Sequence, residues 1–249
     1  MIKWDKAYMI NLDSEKDKWS SFSEFKEFER FSALDSREKP FMYRDYGFEL
    51  APTDELFKYT IEYFSQSKGA VGCYFSHYKI WQEIIKEKYD WCLVLEDDVC
   101  PESLDLFFKK RSSYFLSKEE YKQADFICLN RRVFGKKSMK GTEAYLINQK
   151  AAKILIEEAN NTITCPVDNY IGKIGARDKK FNFQRCRMID RNAEAAAWSN
   201  SSVTQGTPFW VMMPREDPEC KECINQAINE GAEWVRQQDF YKWWEKCDD

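Results

Sequence analysis

The chain has 249 residues, a mass of 29.7 kDa and a net charge of −4, with a pI near 5.4. That length suits one substantial domain able to bury its own core, and the acidic balance disfavours a protein that mainly grips nucleic acid, which needs a basic excess. A hydrophobic content of 43% argues against disorder, and with no apolar run of about 18 residues the sequence predicts no membrane span.

Met1 to Asp13 carries charges and no apolar stretch of the signal-peptide kind, so a cytoplasmic location is the expectation. Lys6–Leu12 reads as a buried strand, and Asp13-Ser14 could cap a helix running through Trp19 to Phe28. Arg30–Leu34 is a second strand ending at Asp35. Residues 36–53, with Pro40, Gly47 and Pro52, read as an ordered loop, and 54–65 as a short helix. Gly69 and Gly72 introduce a long helix in which Val71, Phe75, Tyr78, Ile80, Trp81, Ile84 and Ile85 keep helical spacing. Trp91–Leu95 is a continuous apolar run, the mark of a central buried strand, and Glu96-Asp97-Asp98 follow at once.

Asp125–Asn130 repeats the buried-strand pattern. The segment 131–140 is basic, with Arg131, Arg132, Lys136, Lys137 and Lys140; it reads either as a solvated loop or as a grip on a diphosphate or anionic acceptor. Ala144–Ile147 is a short strand, Gln149–Asn160 a helix, and a further helix follows Pro166-Val-Asp168 to Ile174. A second basic stretch holds Arg177, Lys179, Lys180, Arg185 and Arg187. The tail holds two predicted helices, 218–231 and 232–246, acidic and rich in aromatics. They read as a helical cap on the main domain or as a partner-binding surface; a membrane-surface helix would want basic residues beside its aromatics.

Strands alternating with helices predict an α/β fold with a mostly parallel sheet flanked by helices. The division is 1–205 for the main domain and 206–249 for a C-terminal helical extension. Ligands in such sheets bind outside the carboxyl ends of the strands, where Asn11, Asp13, Asp35, the acids 96–98 and Asn130 would gather. The nine cysteines suggest reduced, buried thiols rather than a disulfide framework. Cys220 and Cys223 form one CxxC, a weak zinc signal with a single histidine in the chain. The sequons at Asn160 and Asn200 matter only in a secreted protein.

Three consecutive acids after a buried strand repel one another unless a cation intervenes. Carboxylate oxygens suit Mg²⁺ or Mn²⁺, and Glu96 and Asp98, two residues apart, can face one ion. The alternative is that Asp97 or Asp98 begins the helix near Glu102. The glycines 69 and 72 allow close backbone approach and place helix N-terminal amides where an anion could sit. His77 reads either as a packed helix residue or as a polar contact to substrate.

Together these pieces resemble glycosyltransferase family 25, which includes bacterial lipooligosaccharide galactosyltransferases and collagen galactosyltransferases. The resemblance rests on ordered blocks: Ile10-Asn-Leu-Asp13 with Lys18-Trp19; Phe31-Ser-Ala-Leu-Asp35; Gly69-x-x-Gly-Cys-x-x-Ser-His77 with Trp81; Leu93-Val-Leu-Glu-Asp-Asp-Val99; Gly141-Thr-Glu-Ala-Tyr-Leu-Ile147; and Pro166-Val-Asp168. It covers roughly residues 5–200. It implies a GT-A, Rossmann-like fold and metal-dependent, inverting transfer of galactose or glucose from a UDP-sugar to a hydroxyl of a glycan or protein acceptor; the sequence itself predicts no transmembrane segment and leaves peripheral membrane contact open. Mn²⁺, or Mg²⁺, would be held by Glu96 and Asp98. Asn11, Asp13, Asp35, Asp97 and His77 would contact the donor. Asp168 would be the base, with Glu143 second and Asp190 and Glu194 behind. The chain departs from the family at Ser14 and Lys18, where arginines are usual. Two other readings are a metal-dependent phosphoryl-transfer or nuclease domain and a non-catalytic, degenerate nucleotide-sugar or glycan-binding module.

Overall fold

The computed structural model describes residues 3–36, 42–50, 68–111, 118–130, 139 and 141–189. The predicted helix at 54–65, most of the basic segment 131–140, Asp190, Glu194, Cys220, Cys223 and the C-terminal extension 206–249 lie outside the described residues.

The described chain builds a six-stranded, mostly parallel sheet in the order β2-β1-β4-β6-β5-β8. Its strands are β1 (Lys6–Asn11), β2 (Glu29–Ser32), β4 (Trp91–Glu96), β5 (Phe126–Asn130), β6 (Ala144–Asn148) and β8 (Phe183–Ile189). β3 (Glu49–Leu50) and β7 (Thr162–Ile163) form a small separate pair. β1 runs parallel to β2 and β4, and β5 runs parallel to β8, while β6 is antiparallel to both β4 and β5. β6 therefore begins at the rim where its neighbours end.

Side chains alternate across this sheet. Tyr8, Ile10, Cys92, Val94, Phe126 and Tyr145 face one layer; Ala7, Met9, Leu93, Leu95, Ile127 and Leu146 face the other. On the first face lie α3 (Lys68–Glu87) and α6 (Gln149–Ala159), whose apolar stripes meet over the sheet. On the second face α4 (Pro101–Leu106) joins the turn built by Phe22 and Phe28. α1 (Lys16–Ser20), α2 (Met42–Asp45), α5 (Glu119–Lys122) and α7 (Val167–Ile171) are single-turn pieces. β4 is buried on both faces, as its unbroken apolar run predicts.

Three local expectations are corrected. Asp13 does not cap a long helix, because its carboxylate is taken by Arg30 and Ser32; the chain makes a 3₁₀ turn at Asp13–Glu15, the short α1 and then turns through Phe22, Phe25 and Phe28. Residues 42–45 and 49–50, read as loop, are α2 and β3. The second basic stretch contains β8, an edge strand whose Gln184, Arg185 and Arg187 interrupt the apolar pattern. β6 passes into α6 with no residue between, because Asn148 caps the helix by accepting the Ala151 N–H at 2.9 Å. Asn160 ends that helix at φ 42°, a left-handed position that asparagine tolerates.

Candidate active site

The rim where β1, β4 and β5 end and β6 begins collects the polar residues. Asn11, at the end of β1, is 1% exposed and makes use of its whole amide. Its Nδ2 donates to Asp97 Oδ2 at 2.7 Å and to the Glu15 carbonyl at 2.9 Å, and its Oδ1 accepts from Arg30 Nε at 2.8 Å. Arg30 also donates to Asp13 Oδ1 at 2.5 Å, and Ser32 Oγ donates to Asp13 Oδ2 at 2.8 Å. Arg30, then Ser32, holds the Asp13 carboxyl below the usual carboxylate range. Burial pushes Asp97 up to about 6, although the Asn11 hydrogen bond and the charge of Lys18 pull it down.

Glu96 and Asp98 follow on the β4 end. Neither Asp97 nor Asp98 caps the next helix, whose N-cap is Cys100 with Pro101 in its first turn. Asp98 is buried and Glu96 is partly exposed. The Cys73 thiol is held well up by burial first, then by the charges of Glu96, Asp168 and Asp98, against a hydrogen bond with Thr142. Glu96 and Asp98, two residues apart at the end of β4, offer the carboxylate oxygens that suit Mn²⁺ or Mg²⁺. A second group is mixed: the ligand atoms of Cys73, His77 and Glu96 lie within 4.8 Å of one another.

His77 has no exposed surface, and both its ring nitrogens have protein partners: Tyr145 Oη at 2.8 Å from Nδ1 and Glu96 Oε1 at 3.1 Å from Nε2. It therefore offers no nitrogen directly to a donor sugar, and any influence runs through Glu96. Asp168 is half-buried in the first turn of α7, whose N-cap is Pro166. Its Oδ2 accepts the Gly141 N–H at 2.9 Å and its Oδ1 accepts the Asn169 N–H at 2.8 Å. Glu143 is 3% exposed, and its Oε2 accepts from Asn130 Nδ2 at 3.0 Å. Asn130 also donates to the Gly141 carbonyl at 2.8 Å. Gly141 has φ 73°, and a Cβ there would stand 2.2 Å from Glu143 Oε2, so only glycine fits over that carboxylate.

The family model described as "Glycosyltransferase family 25 (LPS biosynthesis protein)" matches residues 4–136, more than half of the chain. The chain belongs to glycosyltransferase family 25. The match includes Asn11, Asp13, Asp35, His77 and the acids 96–98, and ends before Glu143 and Asp168. A glycosyltransferase 25 family member of Aedes aegypti is 30% identical over 188 residues, covering 66% of this chain and 30% of that protein. Procollagen galactosyltransferase 1 of Danio rerio is 37% identical over 60 residues, 24% of this chain and 9% of that protein. Lipooligosaccharide biosynthesis protein lex-1 of Haemophilus influenzae is 27% identical over 115 residues, 38% of either chain. The matches thus span well under half the length of these curated relatives. A solved glycosyltransferase involved in the glycosylation of the major capsid of PBCV-1 aligns over 73% of this chain and 80% of its own, at 16% identity and a TM-score of 0.34.

Within this family 25 chain, the residues on either side of Asp35 are tied to α3. The neighbouring Leu34 N–H donates to Ser76 Oγ and the Gly72 N–H donates to Ser36 Oγ, both at 2.9 Å. Gly72 serves close packing: a Cβ there would lie 2.1 Å from the Leu34 carbonyl oxygen. Its amide is already spent on Ser36 and is not open to a phosphate. Sequence reasoning missed Arg30, which brings a guanidinium to Asp13 while position 14 is serine. It also missed Tyr145, Thr142 and Asn130's grip on Glu143. The signal for Arg30 was its strand partnership: β2 lies beside β1 and aligns Arg30 with Met9. Among the described residues, all six cysteines are free thiols, and no helix is long and apolar enough to cross a membrane.

Proposed function

We propose that the chain is a metal-dependent, inverting glycosyltransferase that moves galactose or glucose from a UDP-sugar to a hydroxyl of a glycan or protein acceptor. Family membership supports this reading, and so does the hydrogen bonding of the rim, where the Glu96 N–H donates to the Glu143 carbonyl and the Asp168 carboxylate accepts the Gly141 N–H, both at 2.9 Å. The second of these is the observation that carries the chemistry, since it brings the carboxylates proposed to hold a cation and the proposed base to one rim.

Glu96 and Asp98 would hold Mn²⁺ or Mg²⁺, which when bound neutralises negative charge on the departing diphosphate. Asn11, Asp13 and Arg30 form a rigid polar ledge at the end of β1 suited to the nucleoside, and Asp97 is fixed against it by Asn11. Asp168 would take the proton from the acceptor hydroxyl. Its two backbone hydrogen bonds fix its carboxylate plane, and its partial exposure lets a substrate reach it. Glu143, buried beneath Gly141 and bound by Asn130, is better suited to shaping the rim than to accepting a proton from substrate.

A thermal-shift screen of nucleotide-sugars with and without Mn²⁺ tests the reading, because a ligand that binds only the folded state raises its melting temperature. A rise with UDP-galactose or UDP-glucose that requires Mn²⁺ is expected, together with slow donor hydrolysis. No shift with any nucleotide or metal would sink it and favour the non-catalytic module.

A further inference from the structure

Behind Glu96 lies a buried line of side chains that crosses from α3 to the sheet. Trp81 is one helical turn after His77, so both project from the same face of α3. That face lies on β6, where Tyr145 pairs with Val94 of β4, and Glu96 follows Val94 on the same side of that strand. Trp81, Tyr145 and His77 have no exposed surface. Trp81 Nε1 lies 3.2 Å from Tyr145 Oη, which lies 2.8 Å from His77 Nδ1, and His77 Nε2 lies 3.1 Å from Glu96 Oε1.

The chemistry of these groups gives the line one direction. An indole N–H only donates, so Tyr145 Oη accepts from Trp81. The phenol keeps its own proton, since burial holds its pKa well up. That proton needs an acceptor, because a buried hydroxyl without one is costly. His77 Nδ1 is the acceptor in reach among the described residues. The imidazole proton then sits on Nε2 and points at Glu96 Oε1, a carboxylate that accepts it. Placing the ring proton on Nδ1 would put two donors on Tyr145 Oη and leave its own hydrogen without a partner.

We propose that His77 is a positioning residue, locked by Trp81 and Tyr145 in the Nε2–H tautomer, whose N–H fixes the orientation of the Glu96 carboxylate. The lock also removes the imidazole from the Cys73–His77–Glu96 group as a ready ligand for a thiophilic cation, since the Nε2 lone pair that would bind one carries the proton. The tautomer stands on these hydrogen bonds and on the buried phenol keeping its proton, not on the proposed function. Its value to transfer rests on the proposed role of Glu96 in holding Mn²⁺.

The chain has one histidine, so protein labelled with ¹⁵N-histidine yields one imidazole in a metal-free, nucleotide-free spectrum. We expect a protonated Nε2 and an unprotonated Nδ1. Glu96→Ala removes the other partner of the ring, so the proton should stay on Nε2 if Tyr145 sets the tautomer. A proton on Nδ1 of the unsubstituted protein, or averaged signals from both tautomers in Glu96→Ala, would overturn the lock. Mn²⁺ affinity, read by electron paramagnetic resonance, tests the positioning. Removing the partner that orients a metal ligand typically weakens binding about 10–100-fold, which is the loss expected for His77→Leu. His77→Gln retains an N–H donor at the Nε2 position and should restore most of the affinity. Equal affinity in the leucine variant would refute the positioning role. A complete lack of Mn²⁺ binding in the unsubstituted protein would refute the metal-dependent reading, and the positioning role with it, while the tautomer would still be decided by the spectrum.

Discussion

Gly72→Ala sets two effects of opposite sign against each other. In an isolated helix, alanine is more favourable than glycine by about 1 kcal/mol. Here the added methyl would sit 2.1 Å from the Leu34 carbonyl oxygen and 3.1 Å from both the Ser36 nitrogen and its hydroxyl. The first of these partners is backbone, so no rotamer change relieves it. To restore ordinary contact, the start of α3 must retreat from the β2 end by about 1 Å. That movement stretches the Gly72–Ser36 and Leu34–Ser76 hydrogen bonds, both 2.9 Å. Overpacking costs roughly 1–3 kcal/mol, and each weakened hydrogen bond up to about 1 kcal/mol. Clash and hydrogen bonds outweigh propensity, and a net loss of about 2 kcal/mol is expected. For a domain of this size that lowers Tm by roughly 4–8 °C. Urea denaturation followed by circular dichroism would measure the loss as a fall in midpoint at constant slope. A variant as stable as the parent, or more stable, would show that α3 is not pressed onto residue 34, and the placing of Asp35 by that contact would fail.

Asp125→Ala should cost roughly 2–3 kcal/mol at neutral pH, since the buried carboxylate accepts from Asn148, Lys150 and the Asn182 N–H. Burial raises this group, but Lys150, the Asn182 N–H and Asn148 together hold it below the ordinary value of 3.8. Its stabilisation is therefore complete above that value and is lost as pH falls further, so the penalty should shrink at pH 3; an equal penalty at pH 3 and pH 7 would contradict the assignment. Asp98→Asn should abolish both Mn²⁺-dependent stabilisation and transfer, and full activity in that variant would remove Asp98 from the metal site. Asp168→Asn should retain the nucleotide-sugar thermal shift while transfer falls by about 100-fold or more, the usual scale of general base catalysis; normal turnover would place the base elsewhere.

The parts of the fold legible in the sequence were those whose pattern is set by burial alone. β4 and β5 are unbroken apolar runs because both sheet faces are covered, and α3 shows its stripe because one side lies on the sheet. β8 was not legible, since an edge strand next to solvent mixes Gln184 and Arg185 with Phe183, and a basic stretch looks the same. The helix expected after Asp13 failed because a cap residue found stronger partners in Arg30 and Ser32, which are distant in sequence. At the site, the acids could be named from their place after β4. Their mutual arrangement could not, because Asn11–Asp97, His77–Glu96 and Asn130–Glu143 are each made between separate elements. The two-sided role of His77 was hidden for the same reason: its partner Tyr145 lies on another element and reads as one more core aromatic.

The reversal of β6 has a consequence for how such a protein can diversify. Because that strand starts where β5 ends, the chain leaves the reactive rim at Asn130 and returns to it at Gly141, and the Asn130 side chain clasps the Gly141 carbonyl at 2.8 Å. Both ends of the segment between them are thus held by one asparagine side chain. Doubling the length of chain between two such fixed ends adds only about 0.6 kcal/mol of closure entropy. Insertions between Asn130 and Met139 would leave the register of β5 and β6 untouched, whereas Met139 itself is buried in the core and must keep its place. One scaffold can thus carry connections of different length at the rim with little penalty to folding.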